Sequence, residues 1–312
     1  MAAGSLAKRI QEQTLKCGFD YCGIVPISAL DGFLELLQKR IDAVPEAASF
    51  YRSFADNDIR RRFSWAKAIV VLVFDYGRFR YPKSLQGKYG KAFFLDPPQG
   101  CKAGFDLDNL EKWFHENGIR AAGGKHYGEA SIGPLRYLAM KAGLGIVRKN
   151  NFFYTEKGSY NNLYAYAIDQ ECELIEPCDL RPRAPNCDLC RRACKTKALL
   201  ASYEMNPVKC ISFLTTFGNC EVPDGLTDVQ YEHWLCGCDN CQDACPYNRH
   251  DWSQGVELEG LEELALCIQP ENYPNLTDDF LLQNVIPRTS RHLQKRDIPA
   301  LRKNAARAAQ NS

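Results

Sequence analysis

Several common signatures are missing from this chain, and each absence removes a class of function. No apolar run approaches the length of a membrane span, and the N-terminal Met-Ala-Ala-Gly-Ser-Leu carries no leader pattern. A cytoplasmic protein with no membrane partner is therefore expected. There is no Gly-x-Gly-x-x-Gly fingerprint, which argues against a direct nicotinamide site. Gly123-Gly124-Lys125-His126 lacks the spacing of a P-loop. No Ser–His–Asp arrangement can be argued from the order of residues. A surplus of one charge is missing too. The 39 Lys and Arg against 38 Asp and Glu leave a net charge of +1, so no global polyelectrolyte partner is implied. The length of 312 residues is enough for two compact domains.

Cysteine is what the chain has in abundance, with 15 residues. Without an export signal these read as metal ligands in a reducing compartment rather than as disulfides. Two runs carry the signal. Cys187-Asp-Leu-Cys190-Arg-Arg-Ala-Cys194 is a C-x2-C-x3-C, and Cys238-Asp-Asn-Cys241-Gln-Asp-Ala-Cys245-Pro246 repeats it with a proline added. In the bacterial ferredoxin run, the close x2 pairs hold one 4Fe–4S cluster while the cysteine after x3 crosses to the other. That crossover assigns Cys194 to the set of Cys238 and Cys241, and Cys245 to the set of Cys187 and Cys190. Cys210 completes the first of these sets. Ferredoxin spacing puts the last ligand of the other at position 184, which is Ala184 and cannot ligate iron. Cys178 is the replacement, with Cys236 as the second choice. Two 4Fe–4S clusters are thus expected. The alternatives are one cluster, a three-iron centre, or zinc, which uses C-x2-C pairs but has no need of the x3 crossover. Cys17, Cys22, Cys101, Cys172, Cys220 and Cys267 remain as core or surface thiols.

The first half alternates helix and strand signals. Ser5 caps an apolar-periodic segment to Lys16, and Tyr21–Ile27 reads as a strand. A helix follows over about 29–43. Ala68–Phe74 is nearly continuous in apolar, β-branched residues and predicts a central strand covered on both faces. Helices over 106–117 and 134–142 end at Gly118 and Gly143, and 162–169 alternates as a strand. The fold class is α/β (α+β) over residues 1–170, then a ferredoxin-like two-cluster domain over 171–255 and a helical tail over 256–312. The segment 281–312 holds seven Lys and Arg residues, Arg288, Arg291, Lys295, Arg296, Arg302, Lys303 and Arg307, against Asp297 alone. It reads either as a solvated basic helix or as an RNA-facing patch.

With these motifs placed, the chain resembles the epoxyqueuosine reductase family, relatives of the corrinoid-dependent reductive dehalogenases. Lys209-Cys210-Ile211-Ser212-Phe213-Leu214 is similar to the family's Arg-Cys-Ile-Ser-Tyr-Leu. Gly237 to Asn248 meets its Gly-Cys-Asp-x-Cys-Gln-x-x-Cys-Pro-x-Asn. Lys141-Ala142-Gly143-Leu144-Gly145 matches a family motif, and Gly158-Ser159-Tyr160 resembles its Gly-Ser-Trp. Leu301–Ala306 resembles the start of its helical-repeat tail. The resemblance spans roughly residues 60–310. It implies a corrinoid-type domain that holds cobalamin beside two electron-relaying clusters, and an oxidoreductase that removes an epoxide oxygen from a tRNA nucleoside. It also implies an external low-potential donor such as a ferredoxin or flavodoxin, and tRNA as a partner. Where the family places an acidic proton donor in Asp-x-x-Pro, this chain has Ser131, with Glu129 and Tyr127 as nearby substitutes. Lys149 and Asn150 match the polar residues after Gly-Leu-Gly-x-x, expected at the corrinoid, and Arg148 replaces the family glycine. Two other readings stay open: a corrinoid reductive dehalogenase-like enzyme, and a 4Fe–4S electron-transfer protein without a substrate of its own.

Overall fold

The computed structural model describes residues 5–56, 58–97, 101–124, 131–181, 186–217, 221–289 and 293–311. The chain forms two compact units, one of Met1–Asp75 with Gln99–Pro185, the other of Tyr76–Pro98 with Asn186–Ser312.

The first unit opens with α1 (Leu6–Lys16), whose N-cap Ser5 accepts a hydrogen bond from the Lys8 amide. Then come β1 (Tyr21–Pro26), α2 (Phe33–Ala43), α3 (Ala48–Asp56) and β2 (Ala68–Asp75). After Gln99 the unit adds α4 (Leu107–Glu116), capped by the Asp106 carboxylate, then β3 (Ala121–Gly123), α5 (Leu135–Lys141) and β4 (Asn161–Ile168). The sheet order is β1-β2-β4-β3, and every pairing is antiparallel. This makes the unit α+β, the second form of the expected class. The strand predicted to be central is so, pairing through Val71 with Gly23 on one side and Ala165 on the other.

Both faces of β2 are covered. Ile69, Val71 and Val73 join Leu138, Ala139 and Ala142 of α5 in one core, and burial of each such aliphatic side chain stabilises by about 1.5–3 kcal/mol. On the alternate face, Phe74 meets Phe105, which stacks on Phe19 at a centroid distance of 4.9 Å and also touches Tyr164. Helix α5 lies directly on β1: a Cβ on Gly23 would sit 2.8 Å from the Ala142 Cβ. Gly143 ends α5 at φ +74°, where its missing side chain makes room for the Glu176 carbonyl.

The second unit contains α6 (Leu189–Ala193), α7 (Ile211–Thr216), α8 (Asn240–Asp243), α9 (Leu261–Cys267) and α10 (Ile298–Gln310). Residues 76–98 belong here because their backbone is paired here. The Arg80 amide donates to Val256, that of Tyr81 to Trp252, and that of Gly90 to Cys236. The sequence expectation placed boundaries near 170 and 255. The units instead divide near 185, and residues 256–312 pack into the second unit with no separate tail. Backbone pairing over such a sequence distance leaves no local periodicity to read. Three cations of the basic tail have partners within the unit, while Lys295, Arg296 and Lys303 are exposed. Arg302 pairs with Asp278 at 2.6 Å and donates to the Tyr273 and Leu276 carbonyls. Arg307 lies over the Tyr231 ring, 3.9 Å from its centroid, and Arg288 donates to the Glu259 carbonyl.

Candidate functional site

The two cysteine runs build a repeated local structure. In each, the x2 pair leads into a one-turn helix and the x3 cysteine follows its end: Cys190 lies on α6 with Cys194 just after, and Cys241 lies on α8 with Cys245 just after. The two short helices pack together, and Cys210 caps the start of α7. The sulfurs of the two runs lie near one another. Cys241 feels the charges of Cys210, Cys194 and Cys190, and Cys238 those of Cys241 and Cys210. Cys190 feels Cys245 and Cys187. Desolvation, and then the neighbouring thiols, hold Cys238 and Cys241 well above the ordinary thiol range. Without metal these are protonated thiols, and assembly of a cluster releases their protons.

Among the described residues, no three thiol, imidazole or carboxylate groups converge closely enough to enclose a single ion. Four thiolates around one zinc at about 2.3 Å would stand roughly 3.8 Å apart. A cubane, with an iron at each thiolate, holds them more widely. The donor chemistry and the paired neighbourhoods fit two 4Fe–4S clusters.

Of the two candidates for the remaining ligand, Cys178 is half-buried in the first unit. Cys236 is fully buried in the second, where its neighbours are the phenols of Tyr81, Tyr89 and Tyr273.

One residue of this centre carried no sequence signal. Lys91 is only 2% exposed and begins a short apolar helix, Lys91–Leu95. Its ammonium reaches Asp239 at 3.1 Å and Asp243 at 2.8 Å, and it sits 5.1 Å from the centroid of the Trp252 ring. Its backbone amide also donates to Asp239. Burial works against the Lys91 charge, but the two carboxylates outweigh it and hold the pKa above the ordinary lysine value. Asp239 lies between Cys238 and Cys241, and Asp243 between Cys241 and Cys245, so this buried cation braces the ligand loop itself. The loop is further fixed by the Gly237 amide donating to Thr215 Oγ1 at 3.0 Å and Asn248 Nδ2 donating to the Gln242 carbonyl at 2.9 Å. Gly237 has φ +81°, and a Cβ there would lie 2.6 Å from the Phe93 ring.

In the first unit, Ser131 precedes the Gly133–Pro134 segment that starts α5, and its carbonyl accepts from Arg62 Nη1 at 2.8 Å. Glu129 and Tyr127 lie outside the described residues. Lys149 is half-buried on the turn after Val147. Asn150 is 3% exposed, with Nδ2 donating to the Tyr154 hydroxyl at 2.9 Å, and Arg148 lies over the same ring.

Comparison with known proteins falls on the same segments. The family described as 4Fe-4S double cluster binding domain matches residues 184–248. An epoxyqueuosine reductase of Cellulophaga algicola is 26% identical over 306 residues, covering 94% of this chain and 97% of its own. Over nearly its whole length the chain is similar to an epoxyqueuosine reductase. That of Listeria monocytogenes is 35% identical over 150 residues, or 45% of this chain and 35% of the relative. The structure of epoxyqueuosine reductase from Streptococcus thermophilus matches 99% of this chain and 82% of its own, with a TM-score of 0.73 and 21% identity. Another epoxyqueuosine reductase, solved with an epoxyqueuosine-modified tRNA-Tyr stem loop, matches with a TM-score of 0.70 at 21% identity, over 98% of this chain and 81% of its own.

Proposed function

We propose that the protein is a cytoplasmic, cobalamin-dependent oxidoreductase that removes the epoxide oxygen of a queuosine precursor in tRNA. The carrying observation is that likeness to an epoxyqueuosine reductase spans nearly the whole of both chains. The relative solved with a modified tRNA stem loop supports tRNA as the carrier of the substrate.

Conversion of an epoxide to an alkene and water consumes two electrons and two protons. The 4Fe–4S clusters and cobalamin, when bound, supply the one-electron relay and the reducing metal centre, fed by an external low-potential donor such as a ferredoxin or flavodoxin. Cys194, Cys210, Cys238 and Cys241 hold one cluster; Cys187, Cys190 and Cys245, with Cys178 as the completing ligand, hold the other. Lys91 offsets the negative charge gathered at the ligand loop, one of the levers that sets a cluster potential. Lys149, half-buried on its turn, would contact the corrinoid when it is bound. Asn150, tied to Tyr154, shapes that turn from within. A serine hydroxyl is a poor proton donor near neutral pH, so Glu129 would deliver one of the two protons and solvent the other, with Ser131 hydrogen-bonding the leaving oxygen.

The test is anaerobic reconstitution with iron, sulfide and cobalamin, then incubation with a chemical reductant and an epoxyqueuosine-containing stem loop. Loss of one oxygen from the nucleoside, read by mass spectrometry, is expected. Full iron content and cobalamin binding with no loss of oxygen would overturn the assignment.

A further inference from the structure

We infer that Arg40, Arg136 and the side-chain amide of Asn151 form a phosphate-binding site in the first unit. Three separate segments build it. Arg40 lies in the last turn of α2, Arg136 in the first turn of α5, and Asn151 in a left-handed turn at φ +63°. Arg40 Nη2 donates to Asn151 Oδ1 at 3.2 Å, and Arg136 Nη1 donates to the Asn151 carbonyl. Tyr51, on α3, places its hydroxyl against Arg40. The two guanidinium groups are close enough for their charges to repel. Among the described residues, no carboxylate forms an ion pair with either.

A second observation points the same way. Asn151 is only 5% exposed, yet among the described residues its Nδ2 has no hydrogen-bond partner. A buried amide donor without an acceptor is costly, and so is a pair of like charges held close. One tetrahedral oxyanion resolves both, because it offers several acceptor oxygens and negative charge to donors that are all of one kind. Guanidinium forks match phosphate oxygens in geometry as well as charge.

The ligand chemistry is a phosphodiester. Its carrier is either the RNA backbone or the nucleotide loop of a corrinoid, and only this choice of carriers rests on the function proposed above. Arg136 follows Ser131 on the same chain segment, so a phosphate held here anchors a ligand at the segment proposed to meet the substrate.

The experiment uses the reconstituted full chain and Arg136→Gln, Arg136→Lys and Arg40→Gln. Binding of a tRNA anticodon stem loop is followed by fluorescence anisotropy over a range of salt. Cobalamin and cobinamide, which lacks the nucleotide loop, are titrated by visible spectrum. If RNA is the carrier, Arg136→Gln weakens stem-loop binding about tenfold and flattens the log–log salt slope by roughly 0.7–0.9, while cobalamin binding is unchanged. If the corrinoid is the carrier, cobalamin binding falls about tenfold, while cobinamide and RNA binding are unchanged. In either case Arg136→Lys retains part of the affinity, which loss of a merely structural contact would not produce. Folded variants, with wild-type melting and iron content, that bind both ligands like wild type would overturn the site.

A measurement on the wild type guards against variants that fail to fold. Inorganic phosphate should protect Arg40 and Arg136 from phenylglyoxal relative to chloride at equal ionic strength, and equal labelling would overturn the proposal. Protection without RNA or corrinoid binding would keep the site and overturn the functional reading instead.

Discussion

Lys91→Met is the most informative single exchange in the cluster-binding unit. Methionine is unbranched and close to the lysine stem in size, so the change removes charge and hydrogen bonds with little change in packing. It strands Asp239, which is 5% exposed and loses its ion-pair partner at 3.1 Å. It also deprives Asp243 of a contact at 2.8 Å. Removing one member of a buried pair typically costs about 3–5 kcal/mol, since the other is left charged in a poor solvent. In a unit of this size each kcal/mol lowers the midpoint by roughly 2–4 °C, so an apparent melting temperature lower by about 10 °C is expected. The assay is anaerobic thermal denaturation of the reconstituted protein, monitored by cluster absorbance and by circular dichroism. Adding Asp239→Asn removes the stranded charge, so the double variant should recover part of the loss. Loss of a cation beside the ligand loop should also move the potential of the Cys238–Cys241 cluster in the negative direction. A Lys91→Met protein melting within about 2 °C of wild type, with unchanged potential, would refute the bracing role.

Three further outcomes are expected. Cys178→Ser should lower iron content by about four of eight atoms, whereas Cys236→Ser should leave it intact; the reverse would move the ligand to Cys236. Gly143→Ala forces a positive φ on alanine and places its Cβ 1.7 Å from the Glu176 carbonyl oxygen, so it should destabilise by more than about 3 kcal/mol in chemical denaturation. A loss below about 1 kcal/mol would mean that the 176 segment moves aside at little cost. In native alkylation with iodoacetamide, exposed Cys267 should label readily. Cys22, 3% exposed and with its thiol pushed up to about 12 by burial, should label only after unfolding, and equal rates would contradict its placement.

Much of the fold is written locally. Ser5 and Asp106 head amphipathic segments and do cap helices, and the unbroken apolar run from Ala68 predicts a strand that is in fact central. Pairing direction was not legible, because a strand buried on both faces reads the same in parallel and antiparallel sheets. Nor was the excursion of residues 76–98 into the cluster-binding unit. That segment is held by hydrogen bonds to Trp252, Val256 and Cys236, far along the chain, and distant backbone pairing imposes no pattern on the residues that make it.

The same distinction separates the legible part of the site from the rest. Cluster ligands are readable because iron–sulfur geometry fixes both residue type and spacing within a short stretch. Lys91 is not: inside Lys91-Ala-Phe-Phe-Leu a lysine would ordinarily be taken for a solvent-exposed position, and only the fold brings Asp239 and Asp243 to it. Arg40, Arg136 and Asn151 are likewise ordinary residues of three different segments until α2, α5 and the 151 turn converge. Sites defined by charge need only that charges meet in space, so their members carry no spacing rule. A chain of nearly zero net charge can therefore hold a buried cation and a concentrated anion site, and its composition reports neither.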